Sequence, residues 1–287
     1  MSSILTHNNY GKSRVRLLKV ARHGERHDLQ EITVNIMFEG DFATAHTAGD
    51  NSKILPTDTM KNTVYALAKQ TQGIEEIESF AQRLTDHFLD NNPQTSRVMI
   101  EIAEDHWERI QVGEKPHHHS FLHGSNEKHT ARVTATREAV TVESGIEDLL
   151  VLKTTMSGFF GYLKDRYTTL KETADRVLAT AIKANWRYSR PGAATSTLWH
   201  GVRQTVLETF AQHDSMSVQH TLYAIGDTVL ESFEDIVEIS LSLPNKHCLL
   251  FNLEQFGMEN NNEIFVPTDE PHGLIEARVI KNGWIEG

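Results

Sequence analysis

Runs in which every second residue is apolar bracket pairs of amphipathic helices, and the arrangement occurs twice along the chain. Residues 13–21 read as a strand, and Ile32, Val34, Ile36 and Phe38 alternate with mostly polar neighbours, the period of a half-buried strand. Met60, Val64, Leu67 and Ala68 then share one helical face, as do Ile77, Phe80, Ala81, Leu84 and Phe88. Val98, Ile100 and Ile102 restore the alternation, and a shorter run covers residues 117–122. The order is β-β-α-α-β-β. In the second half, residues 129–143 and 146–155 read as strands and residues 169–182, 196–211 and 217–233 as helices. Val237, Ile239, Leu241 and Leu243 alternate, and residues 274–281 close the pattern. Thr59-Met60-Lys61-Asn62-Thr63 is echoed by Thr169-Leu170-Lys171-Glu172-Thr173, each expected to open a helix.

Antiparallel strands with helices laid on one face make an α+β domain, and the repeat predicts tandem units over residues 1–125 and 126–287. Such sheets leave edges that need pairing or closure. The 287 residues hold a sizeable core, and no apolar run is long enough to predict a transmembrane helix. The N-terminus lacks a signal-peptide layout, and the lone Cys248 excludes an internal disulfide. The C-terminal residues 285–287 are not the Ser-Lys-Leu peroxisomal tripeptide, so a cytoplasmic location is expected. A formal charge of −11 argues against nucleic-acid binding. An anionic ligand would need local cations, for which Lys12 and Arg176 are the candidates.

Several short strings carry side chains suited to chemistry. Pro56-Thr57-Asp58 reads as a helix start, with Thr57 as N-cap and an acidic first turn. A helix N-terminus also offers free N–H groups to an anion. Lys12 follows Tyr10-Gly11. On composition it is a solvated lysine, but burial moves a lysine pKa readily and suits it to proton transfer. Arg176 is expected on the helix opened by residues 169–173, where Glu172 four positions earlier offers an ion pair. Its planar fork can equally grip an oxygen and a ring nitrogen side by side. Gln219 supplies a donor and an acceptor on one amide, and Phe159 is either core or a stacking surface. Leu243-Pro244-Asn245-Lys246-His247 reads as a strand that stops at proline, either a polar turn or a site at a sheet end. His247 can take and return a proton near neutral pH.

Taken together, Tyr10-Gly11-Lys12-Ser13, Thr57-Asp58, Phe159 with residues 167–173 and Arg176, and Leu243–His247 resemble the urate oxidase (uricase) family. The resemblance runs from Tyr10 to the segment Val266-Pro267…Pro271-His272-Gly273-Leu274-Ile275. It implies the tunnelling fold (T-fold), two tandem units whose sheet is completed to a barrel by oligomerisation into a homotetramer. It implies oxidation of urate by O2 to 5-hydroxyisourate and hydrogen peroxide with no cofactor, O2 being the co-substrate. Lys12, Thr57 and His247 are implied as catalytic residues. Thr57, Asp58, Phe159, Arg176, Val218, Gln219 and Asn245 are implied as urate contacts, Thr57 and Asp58 reaching the ring from a neighbouring subunit. The chain departs from the family at Gly158, where a longer polar residue is common.

Two other readings compete. The cluster His117-His118-His119, with His123 and His129, suggests a zinc-dependent enzyme of the same fold acting on a pterin or GTP ring. The cluster has no cysteine partner, and a His-x-His after Trp107 and Arg109 is also usual in uricases. A non-catalytic purine binder is the other. Cys248 beside His247 points to the opposite strand face, which argues against a thiol–imidazole pair.

Overall fold

A computed structural model of the chain describes residues 3–284, so the C-terminal tripeptide 285–287 lies outside the described residues. The first half runs β1 (Tyr10–His23), β2 (Arg26–Gly40), α1 (Ala43–Ala48), α2 (Thr57–Gln70), α3 (Ile77–Asn91), β3 (Thr95–Val112) and β4 (Lys115–Ala135). The second runs β5 (Val140–Lys153), β6 (Leu178–Tyr188), α4 (Ser196–Gln212), α5 (Val218–Ser232), β7 (Ile236–Leu250) and β8 (Phe265–Ile280). Eight strands form one antiparallel sheet in the order β1-β2-β3-β4-β5-β6-β7-β8, which makes the chain α+β. Among the described residues no helix is long and apolar enough to cross a membrane.

Packing divides the chain into two compact units. One comprises residues up to Gly145 with Arg187–Trp199, the other Ile146–Trp186 with the residues from His200 onward. The expected boundary at residue 125/126 falls inside β4, whose ladder with β3 continues on either side of it.

In the first unit the alternation becomes cross-strand layers. Phe38 pairs with Val98 and Val98 with Ala135; Ile36 pairs with Ile100 and Ile100 with Val133. All are buried, and Met60, Val64, Phe80, Ala81, Leu84 and Phe88 of α2 and α3 are buried with them. Truncating one of these large side chains costs about 3–5 kcal/mol through lost burial and the cavity left behind. Arg137 donates to the carbonyls of Thr95 (2.7 Å), Leu89 (3.1 Å) and Asn92 (3.2 Å), which satisfies the C-terminal end of α3. In the second unit α5 lies on β7 and β8. A Cβ at Gly226 would stand 2.8 Å from Val279 Cγ2, so the helix sits this close because it has none.

Several expectations from sequence are corrected. Residues 169–177 are not helical, and residues 178–188 form β6. In that strand Leu178, Thr180, Ile182, Ala184, Trp186 and Tyr188 are all buried at period two, which prevails over the weak helical spacing. The echo between residues 59–63 and 169–173 is therefore one of sequence only. The run 129–143 breaks at a turn, where Thr136 Oγ1 accepts from the amides of Glu138 (3.2 Å) and Ala139 (3.1 Å). Strand β7 does not stop at Pro244 but continues to Leu250 through a bulge. Pro56 is the N-cap of α2 and Thr57 its first residue, with no side-chain capping bond.

Candidate active site

The expected site residues fall into two groups, one in each unit. The first is built where β1 meets the start of α2. Gly11 lets β1 approach β2 closely: a Cβ there would stand 1.8 Å from the Ile36 carbonyl oxygen. Lys12 pairs with Ile36, and the ladder is then interrupted between Lys12 and Val15, with Arg14 at φ 57. The Arg14 amide donates to Asn35 Oδ1 at 2.8 Å, which holds the bulge. Tyr10 packs edge-on against Phe38 and Phe42, and its hydroxyl accepts from the Leu55 amide at 2.9 Å. That bond ties β1 to the residues leading into Thr57.

The first intrahelical bond of α2 runs from Met60 N to Pro56 O (3.2 Å), so the amides of Thr57, Asp58 and Thr59 precede the helical ladder. The Asp58 carboxylate is turned to Lys61 (2.6 Å) and Asn62 (3.0 Å). The Lys61 hydrogen bond and charge, then Asn62, and more weakly Lys12, hold the Asp58 carboxyl below its ordinary range. Lys12 is thus within electrostatic reach of the helix start.

In the second group, Phe159, Arg176 and the start of α5 meet around residues 156–159. Phe159 forms an isolated antiparallel bridge with Thr173, bonded Phe159 N to Thr173 O at 2.8 Å and Thr173 N to Phe159 O at 3.1 Å. This hairpin-like link, and no helix, brings Arg176 back to Phe159. The Arg176 guanidinium carbon lies 5.3 Å from the Phe159 ring centroid. Burial lowers its pKa, and its Nε is buried without a hydrogen-bond partner. The ion pair expected with Glu172 is not made. Glu172 instead accepts from Lys164 (3.0 Å) and the Gly161 amide (3.1 Å). An unpaired, half-buried guanidinium beside an aromatic face is a costly arrangement unless an anion completes it.

Gly158 N donates to Ser215 O (2.7 Å) and Ser215 N to Met156 O (3.0 Å), which joins this segment to the start of α5. A Cβ at Gly158 would meet Ala174 O at 3.0 Å, so a glycine suits this packing. Ser217 caps α5 by accepting from the His220 amide (3.1 Å). Val218, buried, and Gln219, exposed, therefore sit at a helix N-terminus with amides ahead of the ladder. Asn245 and His247 flank the β7 bulge: Asn245 pairs with Gly273 while His247 pairs with Thr268. Lys246 between them points to Asp269 at 2.7 Å. Strand β6 begins two residues after Arg176 and neighbours β7, with Lys183 and Asn185 lining one pocket with Ser240–Ser242.

Tyr162 belongs to none of the motif strings. It stacks on Phe159 at 4.8 Å and 14°, and only an aromatic three residues on hinted at it. The histidines of the 117–119 run pack as rings, His117 against His119 at 4.6 Å and His27 against His119 at 5.7 Å. Among the described residues no group of three or more His, Cys, Asp or Glu side chains is arranged to hold a metal ion.

The half-buried Arg176 guanidinium against the Phe159 ring, close to the start of α5, has the chemistry to take a flat anionic ring. The sequence pattern of the family described as Uricase matches residues 8–134 and 142–276. The uricase of Arthrobacter globiformis is 41% identical over 98% of this chain and 91% of its own length. That of Cyberlindnera jadinii is 39% identical over 98% of both. The crystal structure of the Arthrobacter globiformis uricase superposes with a TM-score of 0.94 at 40% identity, covering 100% of this chain and 98% of that one. The chain belongs to the uricase family, oxidoreductases that act on urate with O2.

Proposed function

We propose that this uricase works without metal or flavin, in a site assembled from both groups of residues. The observation that carries the reading is the Arg176 guanidinium, buried at Nε without a partner and 5.3 Å from the Phe159 ring. Urate supplies what it lacks: a flat ring to lie near Phe159 and a carbonyl and ring nitrogen for the fork. Gln219 and the Val218 amide take the other polar edge, and the Thr57 hydroxyl and Asp58 N–H the remaining one.

Urate is already electron-rich, so the protein's task is to remove a proton and exclude water. Lys12 with Thr57 accepts and relays that proton, and the ring anion then gives electrons directly to O2. Asn245 and Thr57 hold O2, and later water, above the ring, while His247 moves protons. The balance is urate, O2 and water giving 5-hydroxyisourate and hydrogen peroxide, with dehydrourate as the intermediate that water attacks.

Because Lys12, Thr57 and Asp58 belong to one unit and the other contacts to the second, we infer that a complete site joins groups from neighbouring subunits of a homotetramer. Each chain would contribute tandem T-fold units to a barrel closed by assembly, and the exposed edge strand β8 supports this. The single cysteine suits a reducing, cytoplasmic compartment. The test is O2 uptake, urate loss and peroxide release in one closed cell, on protein stripped by a chelator and free of visible flavin absorbance. Equimolar consumption is expected. Activity that disappears on stripping and returns with added metal would overturn the cofactor-free reading.

A further inference from the structure

Arg176 lies in a segment rich in carboxylates yet pairs with none of them among the described residues. Glu172 is taken by Lys164 and the Gly161 amide. The adjacent Asp175 is taken by the segment that leads from β5 to Phe159. Its Oδ2 accepts from the Thr155 hydroxyl at 2.7 Å and its Oδ1 from the Ser157 amide at 3.3 Å. The Thr155 bond first, then the amides of Ser157, Arg176 and Met156, hold this exposed carboxyl below the ordinary aspartate range. Met156, between those donors, has a φ of 59, a left-handed conformation that its residue type rarely adopts. The Thr173 hydroxyl adds a bond to the Asp175 carbonyl at 2.6 Å. Asp175 thus sits between Arg176, its neighbour in sequence, and the turn that presents Phe159.

We propose that Asp175 is a positioning residue for urate binding: it fixes residues 155–159 against residue 176, so that the Phe159 ring and the Arg176 guanidinium share one frame. With both oxygens engaged by these donors, the carboxylate makes no ion pair with Arg176, and the guanidinium stays free for the substrate. The inference rests on the reading of Arg176 and Phe159 as urate contacts, and deepens it. Asp175 itself touches no reacting atom.

The experiment compares Asp175→Ala, Asp175→Asn and Arg176→Ala, using xanthine as a non-reacting purine dione for binding and urate for turnover. Asp175→Ala is expected to raise the xanthine Kd and the urate KM about tenfold, with kcat at saturation changed less than about threefold. Asp175→Asn is expected to recover most of that loss. Its amide oxygen keeps the Ser157 bond, and its NH2 donates to Thr155, whose hydroxyl both donates and accepts. Thr155→Val removes one donor and keeps the carboxylate; a rise in Kd of about threefold is expected, and it serves where Asp175→Ala does not fold. Wild-type Kd and KM in Asp175→Ala, with binding lost in Arg176→Ala, would overturn the positioning role alone. So would an Asp175→Ala protein that loses thermal stability and kcat while keeping KM. Wild-type xanthine binding in Arg176→Ala would instead overturn the reading beneath it.

Discussion

The Tyr10 hydroxyl accepts the Leu55 amide hydrogen at 2.9 Å, two residues before Thr57 and from a strand position two residues before Lys12. That hydrogen bond joins the segment carrying Lys12 to the one carrying Thr57, the proposed proton-relay pair. Tyr10→Phe keeps the packing on Phe38 and Phe42 and leaves the Leu55 amide without its acceptor. A loss of about 1–2 kcal/mol in unfolding free energy is expected, with a fall in kcat larger than the change in KM. Urea denaturation and steady-state kinetics on the same preparation check both.

Lys12→Met and Thr57→Ala remove the proposed acceptor and relay without touching the core. Each is expected to lower kcat by about a hundredfold or more while the thermal midpoint stays within a few degrees. Differential scanning calorimetry beside turnover assays separates the two effects. A Thr57→Ala enzyme with unchanged turnover would remove Thr57 from the relay.

A buried polar network in the first unit predicts acid sensitivity. His129 Nε2 lies 2.7 Å from Glu78 Oε1, Ser144 donates to the same carboxylate, and Tyr188 donates to Ser144 Oγ at 2.9 Å. Burial pushes the Glu78 carboxyl up, but the bonds from His129 and Ser144 outweigh it and hold it below the ordinary glutamate range. A depressed carboxylate contributes stability above its unfolded pKa and loses it as pH falls through the folded value. Stability from this group should hold at neutral pH and decline below about pH 4.5. Glu78→Gln should cost about 2 kcal/mol at pH 7 and flatten the acid limb. Thermal unfolding between about pH 3 and pH 7 would show it.

Much of this architecture is legible in the chain because half-buried strands and one-sided helices leave simple periods. Ile32 to Phe38, Val98 to Ile102 and the α2 and α3 faces fall where their apolar spacing puts them. What was illegible is local. Residues 169–177 carry helix-favouring types but are held by the Phe159–Thr173 bridge and by Asp175, long-range bonds that spacing does not encode. Lys115–Ala135 reads as two runs because the part around His123 is too exposed to alternate cleanly. The motif residues are legible as strings. The supporting roles of Tyr10, Tyr162 and Asp175 are not legible, since a hydroxyl or carboxylate bonded to backbone, or one ring stacked on another, leaves no pattern in sequence.

One working site is proposed to draw Thr57 from one chain and Arg176 from another. This is tested most directly by co-expressing differently tagged Thr57→Ala and Arg176→Ala chains in equal amounts and isolating the mixed oligomers. Each variant alone should be nearly inactive. In the mixture a site is intact when both of its contributions are wild type, so about a quarter of wild-type urate turnover should return. A mixed oligomer as inactive as its parents would contradict the shared site and place all these residues' chemistry within single chains.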